Sequence, residues 1–342
     1  MPGTINQKEV ARRAGVSVMT VSRTFSKRES VAPLTRQKVL AAARELGFTP
    51  NQLARDLRNG SSHTIGALMS LVHPFHDLHY MRHLSWKLLG CGYSCQLVDS
   101  MSDPELMIRA LEDFLSRRVS MLILNARPNL LQEKNILDLL KSFPSLVLIT
   151  RPGIEEIREL DFADKIIWNP GPALGEMISH LQRTGRNCGI TTGRGSDLFL
   201  HQEAEKRNFK LLEAVVPDWR DDPCCEIRFM DEKFPGKLPF DVIFSKVDET
   251  AHIMINYLQK RGIRVPEDVA VIGYNNTAIE GTSPIPIASI DWNLEKMTRC
   301  VEKMVMNRLE HPDAPPVTQT VNYRFILRRS CEGGKTPDKK GK

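Results

Sequence analysis

The sequence predicts a protein of two parts, a small all-α helix-turn-helix head and a larger α/β core of two lobes with parallel sheets. The first 63 residues carry eleven lysines and arginines against four acidic residues, although the whole chain has a net charge of only +6. Apolar residues in this head recur at helical spacing. From Thr64 onward, short apolar runs alternate with helical segments, a pattern typical of parallel sheets covered on both faces.

Length and composition limit the possible classes of protein. A chain of 342 residues with 41% hydrophobic residues suits two or three globular domains. No stretch approaches the ~20 apolar residues that span a bilayer, and the N-terminus lacks the apolar segment of a secretory signal. The seven cysteines are scattered without zinc-site spacing. We therefore expect a cytoplasmic protein with reduced thiols, no cofactor, no metal and no membrane partner.

The first two predicted helices have clear end signals. Asn6 and Glu9 form the pattern of a capping box, and Gly15 stands where a helix ends with positive φ. Ser17 can cap a second helix whose buried face carries Val21 and Phe25. A glycine turn between two such short helices is the helix-turn-helix arrangement, in which the second helix enters the major groove of DNA.

The outward face of this second helix predicts contact with DNA. Arg23 can donate two hydrogen bonds to guanine, and the apolar Val18 and Met19 can pack on a thymine methyl group. A pair of ordinary amphipathic helices would not require two apolar residues on the outer face. A basic head is also consistent with a polyanionic partner, although a solvated charged surface would look similar. The predicted major-groove residues are Ser17, Val18, Met19, Thr20, Ser22 and Arg23.

A third helix and a marginal fourth complete the head. Pro33 and Gly47 suit the two ends of the third helix, with Val39, Leu40, Ala43 and Leu46 in a small core. Residues 51–58 have helical spacing, but a helix this short needs a partner to be stable. A plain linker is the alternative, which the leucines at 53 and 57 disfavour. We expect domains over 1–49 and 64–330, a hinge over 50–63 and a disordered tail over 331–342.

The stretches "KEVARRAGVSVMTVSRTFS", "TRQKVLAAARELGFTPNQLARDL" and "SHTIG" strongly resemble the LacI/GalR family of bacterial repressors. The resemblance implies a homodimer on a pseudo-palindromic operator of double-stranded DNA. It implies a hinge helix in the minor groove, with Leu57 as a wedge, Ala54 beside it and Asn51 in the same motif. It also implies a periplasmic-binding-protein-like core whose chain crosses three times between an N-lobe (64–168 and 292–322) and a C-lobe (169–291 and 323–330).

The core pattern predicts where a small-molecule effector would bind. Nine strand candidates begin at "TIGALMSLV" and end at "ASIDW", with helices between them, among them 76–90, 104–117, 172–184 and 249–261. Ligands of parallel α/β sheets bind beyond the carboxyl ends of the strands. The candidate effector residues at those ends are His73, Phe75, His76, Asn125, Arg151, His201, Trp219, Asp248 and Asn275. Each could instead be an ordinary core or surface residue.

Three positions depart from the pattern of sugar-binding relatives. Those relatives carry an arginine where His201 aligns, an Asn–Asp pair where Val247 and Asp248 stand, and an aspartate where Asn275 stands. The loss of these charged groups weakens the match to sugar hydroxyls. We therefore expect common neutral sugars not to bind, and expect a ligand with one anionic group and a planar face. A metal site at the helical histidines 76, 79 and 83 is a weaker alternative.

The sequence favours a DNA-binding regulator, most simply a repressor, over two other classes of function. A solute-binding protein could share the core fold, but the basic head and the absence of a secretory signal argue against it. A sugar-active enzyme would need a catalytic motif. The sequence has no GxGxxG or phosphate-binding loop after any strand, no HExxH and no nucleophile elbow. We therefore expect that the protein is not an enzyme.

Overall fold

The computed structural model describes residues 5–26, 31–49, 62–69, 74–100, 103–125, 130–154, 157–191, 198–214, 225–277 and 283–334. The side chains of Ser26 and of residues 74–77 are not part of this description. The chain divides into two compact units, Met1–His63 and Thr64–Lys342. No helix in the described ranges has the length and apolar character needed to cross a membrane.

The first unit contains α1 (Gln7–Ala14), α2 (Val18–Ser26) and α3 (Pro33–Leu46). The capping box at α1 is confirmed, because the Asn6 side chain accepts from the amides of Lys8 and Glu9 while Glu9 accepts from the Asn6 amide. Gly15 ends the helix with φ 68° and donates its amide hydrogen to the Ala11 carbonyl. This left-handed conformation favours glycine and turns the chain into α2.

A small core joins the three helices. Val10, Val21 and Val39 are fully buried in it, and the rings of Phe25 and Phe48 lie 5.8 Å apart. The expectation that Leu40 belongs to this core is wrong, because Leu40 is half-exposed and Ala42 is buried instead. The buried positions of α3 are 39, 42, 43 and 46, which share one helical face, whereas position 40 lies about 100° away from position 39.

The second unit has twelve strands and eight helices within its described ranges. The strands are β1 (Thr64–Met69), β2 (Ser94–Asp99), β3 (Met121–Asn125), β4 (Leu146–Thr150), β5 (Asp164–Asn169), β6 (Cys188–Thr191), β7 (Lys210–Glu213), β8 (Val242–Phe244), β9 (Ala270–Tyr274), β10 (Ala288–Asp291), β11 (Thr318–Asn322) and β12 (Arg324–Ile326). The helices are α4 (Pro74–Gly90), α5 (Pro104–Ser116), α6 (Lys134–Leu140), α7 (Gly171–Arg183), α8 (Leu198–Lys206), α9 (Cys225–Lys233), α10 (Asp248–Lys260) and α11 (Leu294–Glu310).

These strands form two six-stranded sheets, one in each lobe. The order is β11-β5-β4-β3-β1-β2 in the first sheet and β12-β10-β9-β8-β6-β7 in the second. All neighbours are parallel except β12, which runs antiparallel to β10. The predicted fold class is confirmed, since β1 to β4 and β6 to β9 are joined in order through helices, which are the crossover connections that parallel strands require.

The chain passes three times from one sheet to the other. It leaves the first sheet after β5, returns after β10 and leaves again between β11 and β12. The first two passages contain α7 and α11, and the third is the single residue Tyr323. Both sheets are thus completed by strands from the last part of the chain, and the two lobes belong to one compact unit.

A buried ion pair fastens the end of α11 to the first sheet. Arg308 donates from Nε to Asp164 Oδ2 at 2.7 Å and from Nη2 to Oδ1 at 2.9 Å. Asp164 also accepts from the Val317 amide, and Arg308 donates to the carbonyls of Pro312 and Ala314. These bonds connect β5, α11 and the segment that leads into β11.

Candidate functional site

The first candidate site is the outward face of α2. Ser17 caps this helix, because its Oγ accepts from the Thr20 amide at 3.1 Å and lies 2.9 Å from the Thr20 hydroxyl. Val21 and Thr24 point into the core of the first unit. The opposite face therefore has a fixed orientation on the small helical core.

Two apolar side chains on that outward face are exposed. Met19 is 62% exposed and Val18 41% exposed, and Arg23 one turn later is also exposed. Ser22 is half-exposed beside them. Apolar groups next to an arginine match a major-groove surface, which presents thymine methyl groups and guanine acceptors. The hinge residues Asn51, Ala54 and Leu57 lie outside the described residues.

The second candidate site lies in the two-lobed unit. Asn125 ends β3 and Arg151 follows β4 in the first sheet, whereas Asp248 begins α10 after β8 and Asn275 follows β9 in the second. The carboxyl ends of these parallel strands thus carry four of the predicted residues. His201 lies on α8. His73 and Trp219 lie outside the described residues, as do the side chains of Phe75 and His76 on α4.

On the first sheet, a short chain of polar contacts organises the strand ends. Asn125 Nδ2 donates to the Tyr80 hydroxyl at 3.3 Å, and that hydroxyl donates to Met69 Sδ at 3.4 Å. Tyr80 is fully buried. These bonds connect the ends of β1 and β3 with α4 and fix the orientation of the Asn125 amide.

Aromatic residues at all three chain passages pack against each other. Trp168 near the end of β5 meets Trp292 after β10 edge-to-face, with ring centroids 4.3 Å apart. Trp292 stacks on Tyr323, at 5.5 Å, and Tyr323 contacts Tyr274 of β9 at 6.3 Å. None of these four residues is among the predicted site residues. The aromatic endings of "KIIWN" and "ASIDW" were the available signal, but their mutual contact is tertiary.

On the second sheet, the structure buries Asp248. Its side chain is 1% exposed, and its two carboxylate oxygens accept from the Ser289 hydroxyl at 2.7 Å and the Thr277 amide at 2.6 Å. Both oxygens are thus engaged by protein groups, which differs from the expectation of a direct effector contact. The reason is that the start of α10 packs behind the turn at Asn275, so this carboxylate faces the turn.

The described histidines include one predicted effector residue, His201, and two residues of the alternative metal site, His79 and His83. His201 Nε2 is buried and has no hydrogen-bond partner among the described residues. The rings of His79 and His83 lie 5.0 Å apart on α4. Burial, together with the nearby His83 and Arg82, lowers the pKa of His79. No group of three metal-ligating residues is found in the described ranges.

Comparison with known proteins gives two matches to family descriptions. Residues 6–51 match the bacterial regulatory proteins of the lacI family, and residues 202–331 match a periplasmic binding protein-like domain. The HTH-type transcriptional repressor PurR of Haemophilus influenzae (strain PittEE) is 26% identical over 318 residues, 90% of this chain and 91% of that protein. An HTH-type transcriptional regulator of Lachnoclostridium phytofermentans is 25% identical, with coverage of 95% and 99%.

Solved structures share the fold along nearly the whole chain. The lac repressor dimer bound to operator and the anti-inducer ONPF has a TM-score of 0.79 at 19% identity, covering 96% of this chain and 99% of that one. The complex of the transcriptional regulator CelR with cellobiose has a TM-score of 0.62 at 21% identity, with coverage of 95% and 99%.

Proposed function

We propose that the chain is a member of the lacI family of bacterial regulatory proteins and that it represses transcription in the cytoplasm by binding a specific duplex operator. A small molecule bound between the two lobes controls this binding. The protein acts as a homodimer on a pseudo-palindromic site and catalyses no reaction. The observation that carries the proposal is the outward face of α2, where Val18, Met19 and Arg23 are exposed on a basic unit.

Retention on immobilised duplex DNA tests this proposal at the simplest level. Lysines and arginines that neutralise phosphates release counterions, so the logarithm of the binding constant should fall linearly with the logarithm of salt concentration. The expected slope is about −0.9 for each phosphate contacted. A solute-binding protein that shares only the core fold would not be retained. Failure of this protein to bind the immobilised DNA at low salt concentration would therefore contradict the proposal.

The proposed dimer uses the outward face of α4. On this face Trp86 is 70% and Leu89 71% exposed, and the Arg82 guanidinium lies 5.6 Å from the centroid of the Trp86 ring. Leu97 on the edge strand β2 is also exposed. Large apolar side chains grouped on one surface are typical of interaction sites. A second copy is the fitting partner, because a pseudo-palindromic operator requires two-fold symmetry of the protein.

We expect Leu89→Asp to shift the protein from dimer to monomer in sedimentation equilibrium. In a two-fold symmetric dimer, each protomer would bury one unpaired aspartate carboxylate at the interface. The free-energy cost of desolvating that carboxylate is therefore incurred twice. The matched control is Leu198→Asp, which places the same charge at an exposed leucine on α8 in the other part of the core. If both variants sedimented as dimers, the placement of the interface on α4 would be contradicted.

The effector of this protein is expected not to be a neutral sugar. Each buried hydroxyl without a partner costs about 1–3 kcal/mol, and His201 and Asn275 offer fewer charged bonds than the arginine and aspartate expected of sugar-binding relatives. A panel of neutral hexoses, sugar acids, sugar phosphates and nucleobases in a thermal melting assay tests this. A ligand at 100 times its dissociation constant stabilises the fold by about 2.7 kcal/mol. A clear shift with a neutral hexose, lost in Asn275→Ala, would contradict the expectation.

A further inference from the structure

The turn Asn275–Thr277 after β9 is hydrogen-bonded to side chains from α10, from β10 and from the segment after β12. We propose that Asp248 is a positioning residue of the effector site: its buried carboxylate keeps this turn in the conformation that presents Asn275. The inference rests on the proposed function only in taking Asn275 as an effector contact.

The backbone of the turn requires outside support. Asn275 has φ 94° and Asn276 has φ 52°, so two consecutive non-glycine residues adopt positive φ. Such conformations are uncommon for residues with a Cβ and persist where surrounding contacts determine them. Here three successive amides are bonded, from Asn275 to the Ile290 carbonyl at 2.9 Å, from Asn276 to Ser289 Oγ at 3.0 Å and from Thr277 to Asp248 Oδ2 at 2.6 Å.

Asp248 contributes to two of these three bonds. It accepts directly from Thr277, and its Oδ1 accepts from the Ser289 hydroxyl at 2.7 Å. Because that hydroxyl donates its hydrogen to Asp248, its oxygen lone pairs remain free to accept from Asn276. The carboxylate therefore sets the orientation of Ser289 as well as the position of Thr277.

Two further residues complete the support. Arg328 donates to Asn276 Oδ1 at 2.7 Å and to the Ile287 carbonyl at 2.8 Å, which connects the turn with the segment after β12. Gly273 leaves the space that the carboxylate occupies, because a Cβ at this position would lie 2.1 Å from Asp248 Oδ1. An alanine there would displace the carboxylate from the turn.

The ionisation of Asp248 offers a measurable signature of this role. Burial raises its pKa to about 6, and Glu249 on α10 acts in the same direction. The bonds from Thr277 and Ser289 and the charge of Arg328 act in the opposite direction. The group therefore stabilises the fold below its ordinary pKa of 3.8, and this contribution is lost as the pH rises through 6. The hydrogen bonds to the turn become stronger over the same range, because a charged acceptor binds an amide more tightly.

Amide hydrogen exchange of the full chain across pH 4.5–8 tests the proposal, with rates corrected for intrinsic exchange. In the wild type, protection of the Thr277 amide against local opening of the turn, in which Asp248 stays buried, should be about five-fold higher above pH 7 than below pH 5, since a charged acceptor roughly doubles a bond worth ~1 kcal/mol. Asp248→Asn keeps an acceptor oxygen but no charge, so its profile should be flat. Asp241→Asn, at another buried aspartate of the same lobe, is the matched control and should keep the wild-type profile.

Thermal melting of the same variants supplies a second measurement. Asp248→Asn should melt above the wild type at pH 7.5, where the buried charge is costly, and this advantage should become smaller as the pH is lowered to 4.5. Wild-type exchange with no pH dependence at Thr277, or the same pH dependence in Asp248→Asn, would overturn the proposal. Neither measurement uses DNA or an effector, so failure here leaves the proposed repressor function standing, and failure of DNA binding leaves this result intact.

Discussion

Replacing Arg308 by methionine is expected to lower the free energy of unfolding of the two-lobed unit by about 3–5 kcal/mol. Asp164 and Arg308 are both more than nine-tenths buried. Without the guanidinium, the Asp164 carboxylate keeps only the bond from the Val317 amide and becomes an unpaired buried charge. The segment between α11 and β11 also loses its bonds to the carbonyls of Pro312 and Ala314. Urea denaturation followed by tryptophan fluorescence measures the change.

Two controls separate the buried charge from lost packing. Arg299→Met removes a surface pair with Glu295 on the same helix and should cost less than about 1 kcal/mol. Adding Asp164→Asn to Arg308→Met removes the unpaired charge and should recover part of the loss. If Arg308→Met alone were as stable as Arg299→Met, the ion pair between Arg308 and Asp164 would not stabilise the contact between α11 and the first sheet.

Arg23→Ala is expected to abolish the preference for one base pair in each half of the operator. A bidentate contact to guanine is worth about 1–3 kcal/mol of discrimination, so a dimer should lose about 2–6 kcal/mol on its own site. Fluorescence anisotropy with the specific site and with a variant changed at that base pair measures both affinities. Arg44→Ala, at an exposed arginine in the last turn of α3, is the matched control for the lost charge.

The pattern of loss distinguishes two roles of Arg23. If Arg23→Ala weakens binding to every sequence by the same factor, the side chain contacts a phosphate. The assignment of Arg23 to base recognition would then be wrong, although the protein would still bind DNA.

The parts of the fold that follow local rules were predictable from the sequence. Asn6, Gly15 and Ser17 have capping roles that depend only on near neighbours in the chain, and the structure has them as expected. The strands β7, β11 and β12 were not predicted. β7 and β12 are only four and three residues long, and β11 has a single apolar residue, Val321, among polar residues at a sheet edge, so their apolar pattern is weak.

The candidate effector site was less predictable, because its geometry depends on distant segments. Asp248 follows a strand, as an effector contact would, but its burial arises from Ser289 and Thr277, which lie 41 and 29 residues away. The contact between Trp168 and Trp292 likewise joins two passages of the chain that no local pattern relates. Strand ends could therefore be located from the sequence, whereas the direction of each side chain could not.

Selection of binding sites from a random duplex library tests the central claim most directly. The full-length protein is incubated with the library, and bound duplexes are recovered and sequenced over successive rounds. A dimeric repressor with α2 in the major groove predicts enrichment of one site with two inverted half-sites, each with a guanine position that Arg23→Ala no longer selects. Recovery of duplexes without any common sequence, at salt concentrations where binding persists, would contradict the claim.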